Sequence, residues 1–196
     1  MNIYTDSKGS EILGSGYLYA IEAKDFTVSA TIDLSEMVEI GYIKDSAKFT
    51  RKHETKTITS ANYGDITTLN GKYETTFDTN IISYNAENVA RFLTGDSVVN
   101  GTPTTSNGVT TTTKTTYFTE SSQSPEVALV FVGRDTSGNE LSLAMPKCKW
   151  QGEYILDFNN DNPIETNYNF KCFNTTLSNG KIGAAELVET TKTAAT

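Results

Sequence analysis

Alternating apolar and polar positions run through most of the chain. Gly16 to Ile21 reads as a first strand, and Glu36 to Ile43 as a second, with Met37, Val38, Ile40 and Tyr42 apolar. Successive side chains of a strand point to opposite faces, so this spacing predicts sheet with one face buried. Lys48 to Ser60 differs. Phe49 is followed by Lys52-His53-Glu54-Thr55-Lys56-Thr57-Ile58-Thr59, polar on both faces. A strand without an apolar face buries nothing of its own, so this segment reads as an extended arm or a long hairpin leg. Thr67-Thr68-Leu69 then leads into Asn70-Gly71 and the run Lys72 to Ile82. Asn-Gly between strand-like runs predicts a hairpin turn, because a type I′ turn needs positive φ at both central residues. The leg after it sets Tyr73, Thr75, Phe77 and Thr79 against Glu74, Thr76 and Asp78.

One helix is predicted, over residues 86–93. Asn85 can cap it and Glu87 suits its first turn. Val89, Phe92 and Leu93 form one apolar stripe, and Gly95 supplies the stop. A lone short helix in such a chain is expected to plug the open end or side of a sheet structure. The Thr-rich stretch 101–116 has almost nothing apolar to bury, and reads as a hairpin tip, a subunit-contact arm or a disordered loop. Strands return at Val127 to Val132, Leu141 to Ala144 and Lys147 to Trp150, the first two joined through Asp135 to Asn139. Glu153 to Phe158 and Ile164 to Phe173 make a further pair, the latter with Tyr168, Phe170 and Cys172 on one face and Asn167, Asn169 and Lys171 on the other. The sum is an all-β sandwich or barrel with one short flanking helix and long polar hairpin arms. Its organisation is an N-terminal arm over 1–15, a single β domain over 16–176, and a Gly-, Ala- and Thr-rich flexible tail, or an arm that orders on a neighbour, over 177–196.

Composition supports folding. The 196 residues include 10 Tyr and 9 Phe, and Thr is the commonest residue, which together favour strands and disfavour disorder. The net charge of −8 argues against nucleic-acid reading and against binding to anionic membranes. The N-terminus carries no basic-then-apolar leader and no apolar run approaches about 18 residues, so a cytoplasmic protein without membrane spans is expected. Cys148 and Cys172 are too few for a disulfide framework and lack zinc spacing. They read as small buried or half-buried thiols, with a bridge between adjacent strands as the alternative.

Candidate chemistry is sparse. The only histidine, His53, stands in Arg51-Lys52-His53-Glu54, which reads as a solvated strand face rather than part of a triad or a metal site. Glu153 and Asp157 could pair as glycosidase carboxylates, but acids on exposed strand faces are commonplace. Residues 157–162 alternate Asp and Asn like a calcium loop, yet lack glycine at the sixth position and glutamate at the twelfth, so a turn is the better account. Gly14-Ser15-Gly16 lacks a dinucleotide pattern, and the sequons at Asn100 and Asn174 read as chance matches. No catalytic residue, cofactor or metal is expected, and the chain reads as a non-enzyme.

A resemblance supplies the alternative to chemistry. It is carried by residues 39–49 (Glu39-Ile40-Gly41-Tyr42-Ile43-Lys44-Asp45-Ser46-Ala47-Lys48-Phe49), Glu54-Thr55-Lys56, residues 71–77, residues 81–89, Pro125-Glu126-Val127-Ala128-Leu129, Met145-Pro146-Lys147-Cys148 and Asn162-Pro163-Ile164-Glu165. In this order, across roughly 16–173, the chain resembles the major tail, or tail tube, proteins of phages of Gram-positive bacteria. The resemblance implies a structural virion protein whose subunits form hexameric rings stacked into a hollow tube. Its partners would be further copies, a tape measure, a tail terminator, a baseplate and, in a contractile tail, a sheath. DNA would pass through without specific binding. In that setting Lys44 to Ala61 is expected to reach the next ring through Lys48, Phe49, Arg51, His53, Thr55 and Ile58. Glu74, Asp78 and Glu153 are candidates for an acidic lumen that repels DNA. A surface adhesin or pilus-like module, a carbohydrate-active β-sandwich, a tail terminator and a head decoration protein are the competing readings.

Overall fold

The alternating segments become strands of one antiparallel sheet that closes on itself. The computed structural model describes residues 12–60, 62, 64–81, 85–120, 123–135, 139–154 and 166–190. Strand β1 is Ile12–Glu22, β2 Val38–Ser60 and β3 Gly64–Ile81; β4 (Ser97–Asn100), β5 (Thr104–Ser106), β6 (Val109–Thr111) and β7 (Lys114–Tyr117) follow the helix; β8 is Val127–Asp135, β9 Glu140–Trp150 and β10 Thr166–Cys172; β11 (Thr175–Thr176), β12 (Ile182–Gly183) and β13 (Glu186–Thr190) end the described chain. The main sheet runs β10-β3-β2-β1-β8-β9, and β9 pairs back onto β10. Six strands therefore form a closed barrel, which removes most sheet edges.

Inward residues fill it. Leu18 and Ala20 of β1, Phe77 and Ile81 of β3, Val127 and Leu129 of β8, Met145 and Cys148 of β9, and Tyr168, Phe170 and Cys172 of β10 make one buried cluster. Both alternations read from the sequence hold here: Thr75, Phe77 and Thr79 are buried, as are Tyr168, Phe170 and Cys172. Outside the barrel, Val130, Val132 and Ala144 are covered by Tyr19, Phe26, Ile32, Leu34 and Met37, so the β1–β2 connection lies as a flap across the outer face.

The helix also holds. Ala86–Val89 is α-helical and Ala90–Thr94 continues as a π-turn. The Asn85 side chain accepts from the amides of Glu87 and Asn88, and Gly95 ends the helix at φ 73°. Phe92 and Leu93 are fully buried in the barrel cluster, so the helix plugs the end of the barrel where β1 finishes and β2 starts.

Four expectations are corrected, and the hairpin reading of the Thr-rich stretch is borne out. Asn70-Gly71 is not a turn: β2 and β3 pair from Ile43↔Ile81 to Ser60↔Gly64, so the hairpin tip falls at 61–63, where only Asn62 is described. Gly71 instead sits at a bulge, where His53 faces Tyr73 and Thr55 faces Asn70. A Cβ there would lie 2.7 Å from the Glu54 carbonyl oxygen, so the close approach of two backbones requires glycine. The Thr-rich stretch forms its own hairpin, β4 with β7 and β5 with β6, closed by Asn107-Gly108 at φ 50° and 75°, the type I′ turn itself. Leu141 to Trp150 is one strand rather than two. Pro146 lies where the outer partner of β9 changes from β13 to β10 and where the register to β8 shifts, the position at which a residue without an N–H costs the ladder least.

Finally, the tail expected to be flexible from 177 folds back, and Glu186–Thr190 pairs with Glu140–Ala144 of β9. At the other terminus, residues 1–11 of the expected N-terminal arm lie outside the described residues, and 12–15 begin β1. The strand expected at 153–158 is not formed at 153–154; its remainder, together with Asp157, the loop 157–162 and residues 164–165, also lies outside the described residues.

Candidate assembly surface

The β2–β3 hairpin outgrows the barrel. β1 pairs with β2 only over Val38 to Tyr42, and β10 pairs with β3 only over Thr75 to Ile81. Past the pair Arg51↔Thr75 the two strands pair, among the described strands, with each other alone. Some ten residues of extended hairpin at about 3.3 Å each give an arm of roughly 30 Å. Among the described residues no third strand pairs with either outer edge of the arm, and edges of this kind are templates for adding strands from another chain.

The arm is exposed almost throughout, and its apolar side chains are solvated. Ile58 is 40% exposed, Leu69 51% and Ile66 61%. Ile58 faces Thr67 and Lys56 faces Leu69, which places Ile58 and Leu69 diagonally on one face near the tip. The root is stiffer. The His53 ring stacks on Tyr73 at 4.3 Å between centroids, and the Arg51 guanidinium lies 4.2 Å from the same ring centre. Thr55 stands one step further out, on the face shared by Arg51 and His53.

Phe49 continues the inward face of β2 and borders a recess of about 270 Å³ with Leu143, Ile182 and Leu187. Lys48 lies on the opposite, outer face, across from Asp78. The six arm residues expected from the sequence thus lie on one hairpin, with Lys48 and Phe49 at its base. The β3 side of the arm, with Ile66, Leu69 and Tyr73, was hidden by reading Asn70-Gly71 as a turn.

Glu74 and Asp78 share the outer face of β3. Glu74 pairs with Lys171 at 3.0 Å, and Asp78 accepts from the Asn169 amide. Lys52 faces Glu74, and Lys149 faces Lys171. This face therefore mixes carboxylates with Lys48, Lys52, Lys149 and Lys171. Glu153 is exposed beyond the end of β9, beside Gln151, Asn167 and Asn169.

The β4–β7 hairpin is the second projection. Lys114 binds Glu87 of the helix at 2.7 Å, and this ammonium holds the Glu87 carboxyl below its ordinary range. Tyr117 and Phe118 at its base are exposed, Phe118 lying 5.9 Å from Tyr154.

Inside the barrel Cys148 and Cys172 face each other where β9 meets β10, both as free thiols, with their sulfurs 3.3 Å apart. Lys147 accepts from the Phe173 amide one step away, which makes the cysteines a non-hydrogen-bonded pair, the type with the closer side chains. Burial pushes the Cys148 thiol well above its ordinary value. The folded chain then keeps a proton that the unfolded chain loses, so this contribution to stability is present below the ordinary thiol value of about 8.5 and is lost as pH rises above it. A thiol-reactive chromophore is expected to label neither cysteine in the native protein on the timescale on which it labels both in denaturant. Rapid native labelling would show that the closure between β9 and β10 opens readily.

Among the described residues no three His, Cys, Asp or Glu are grouped to hold a metal, and no helix is long and apolar enough to cross a membrane. Comparison with protein-family models and with curated proteins returns no match.

Proposed function

We propose that the chain is a structural subunit of a phage-type tail tube, assembling by rings stacked head-to-tail into a hollow conduit. The observation that carries this reading is the β2–β3 arm, a roughly 30 Å hairpin whose outer edges meet no further strand among the described residues and whose apolar residues Ile58, Ile66 and Leu69 are exposed. A monomer gains nothing from such an element. A two-stranded hairpin alone is marginally stable, and edges left open invite aggregation. In an assembly the same edges and apolar residues are covered by a neighbour. The resemblance over 16–173 and the closed barrel plugged by one helix are consistent with the tail tube reading. Within that reading the second hairpin offers a further contact between copies.

Passage of DNA follows from charge. A conduit built from subunits of net charge −8 repels a polyanion and lets it slide. The face bearing Glu74 and Asp78 would contribute little to this, since its lysines offset its acids.

Sedimentation velocity across a concentration series tests the proposal. The expected result is growth from monomer to large species of discrete size. A single monomer boundary at every concentration, with and without added tail-initiator complex, would remove the proposal.

A further inference from the structure

The two cysteines meet at the end of the seam that closes the barrel. Among the described residues β9 and β10 share three register pairs, Phe170↔Trp150, Lys171↔Lys149 and Cys172↔Cys148, and this is the shortest ladder of the barrel. Beyond Cys148 the strand passes Pro146, and from Ala144 its outer edge holds β13 instead. Cys148 and Cys172 are therefore the last register pair before the seam forks, where an opening of the barrel would begin.

Their geometry is that of a bridge not yet made. The pair is of the non-hydrogen-bonded type, in which facing Cα atoms stand about 4.5 Å apart, within the range a disulfide spans. The sulfurs, 3.3 Å apart, need to approach by only about 1 Å to reach bonding distance. The two thiols differ in access. Cys148 is fully buried, whereas Cys172 is 6% exposed and borders a recess of about 290 Å³ at the arm root, shared with Glu54, Tyr73, Glu74 and Lys171.

We infer that Cys148 and Cys172 are a site of oxidative modification, which a small disulfide compound converts into one cross-strand bond stapling the barrel seam. This is independent of the assembly proposed above. Entering by the recess, the compound is attacked at one sulfur by the Cys172 thiolate, which forms a mixed disulfide and releases one small thiol. Cys148 then attacks the Cys172 sulfur and expels the second. Two protons and two electrons pass from the chain to the compound, which leaves as two thiols. Burial slows the first step. The second is intramolecular, with the attacking sulfur already in contact with its target, an advantage that a thiol free in solution lacks. The bond closes a loop over 148–172 and ties β9 to β10 at the fork, so it constrains the unfolded chain and holds the seam shut. A chain made in reducing surroundings would gain this staple on reaching oxidising ones.

Overnight incubation of the native, reduced protein with hydroxyethyl disulfide tests it. The expected product is a monomeric chain lighter by two hydrogens, with no thiol left to titrate in denaturant. Its thermal midpoint should rise by on the order of 10 °C and fall back on treatment with dithiothreitol. Under the same treatment Cys148→Ala should stop at a stable hydroxyethyl adduct on Cys172, while Cys172→Ala should leave Cys148 unmodified, which identifies the thiol that reacts first. A native chain that keeps both thiols, that stops at an adduct, or that joins a second chain instead would overturn the proposal. An internal bond that leaves the thermal midpoint unchanged would overturn its role as a staple.

Discussion

A chain in which residues 54–72 are replaced by Asn-Gly is expected to fold normally and to remain monomeric where the full chain assembles. His53 and Tyr73 are directly opposed, so a two-residue type I′ turn can join them without disturbing the strands below. Among the described residues the removed segment makes ladder contacts with itself alone and contributes no residue to either buried cluster. Its loss should therefore change unfolding free energy by no more than about 1 kcal/mol, the range of substitutions that touch no core. Association should fall by far more, since the truncation removes the arm's two outer edges and the exposed Ile58, Ile66 and Leu69. Urea denaturation followed by circular dichroism reads the first quantity, and sedimentation velocity the second. Unchanged assembly by the truncated chain would leave the arm without the role given to it, and loss of the fold would show that the arm belongs to the barrel.

The second large effect is expected at the plug. Phe92 is fully buried among barrel residues, on a helix only a few turns long that gains little from its own hydrogen bonds. Phe92→Ala removes the ring and leaves a cavity that the closed barrel cannot collapse around, at a cost of about 3–5 kcal/mol. Total stabilities of single domains are about 5–15 kcal/mol, so the variant should be conspicuously weakened or partly unfolded. Arg91→Ala is the matched control. Arg91 is half-exposed, 3.6 Å from Glu22, and an exposed ion pair of this kind is worth less than about 1 kcal/mol. Denaturant midpoints of the two variants decide. Similar small losses in both would mean that the helix lies loosely on the barrel and does not seal it.

What the sequence revealed, and what it concealed, divides along the range of the interactions involved. The helix was legible because its cap, stripe and stop are all local: Asn85, then Val89, Phe92 and Leu93, then Gly95. Strand faces were legible wherever one side is buried, as at Tyr168, Phe170 and Cys172. The two Asn-Gly pairs show where local signals fail. Asn107-Gly108 forms a turn because nothing outside its hairpin sets the register. At Asn70-Gly71 the register is fixed by core pairs such as Phe49↔Phe77, the chain continues straight on, and the glycine serves the passage of the Glu54 backbone.

Pro146 suggested a break for the same reason, since its tolerance depends on partners distant in sequence. The last strand, Glu186–Thr190, has only Leu187 and Val188 as large apolar residues and forms because β9 offers an edge, which composition alone does not disclose. For the candidate surface, the polar two-faced character of 48–60 pointed to an arm. Its β3 half and the His53–Tyr73 stack emerge only when the strands are paired in space.

Electron microscopy of the concentrated protein tests the central claim most directly. The account predicts rings and hollow tubes of uniform width, with the arm-truncated chain giving neither. Isolated particles of single-subunit size at every concentration, for the full chain as for the truncated one, would contradict it.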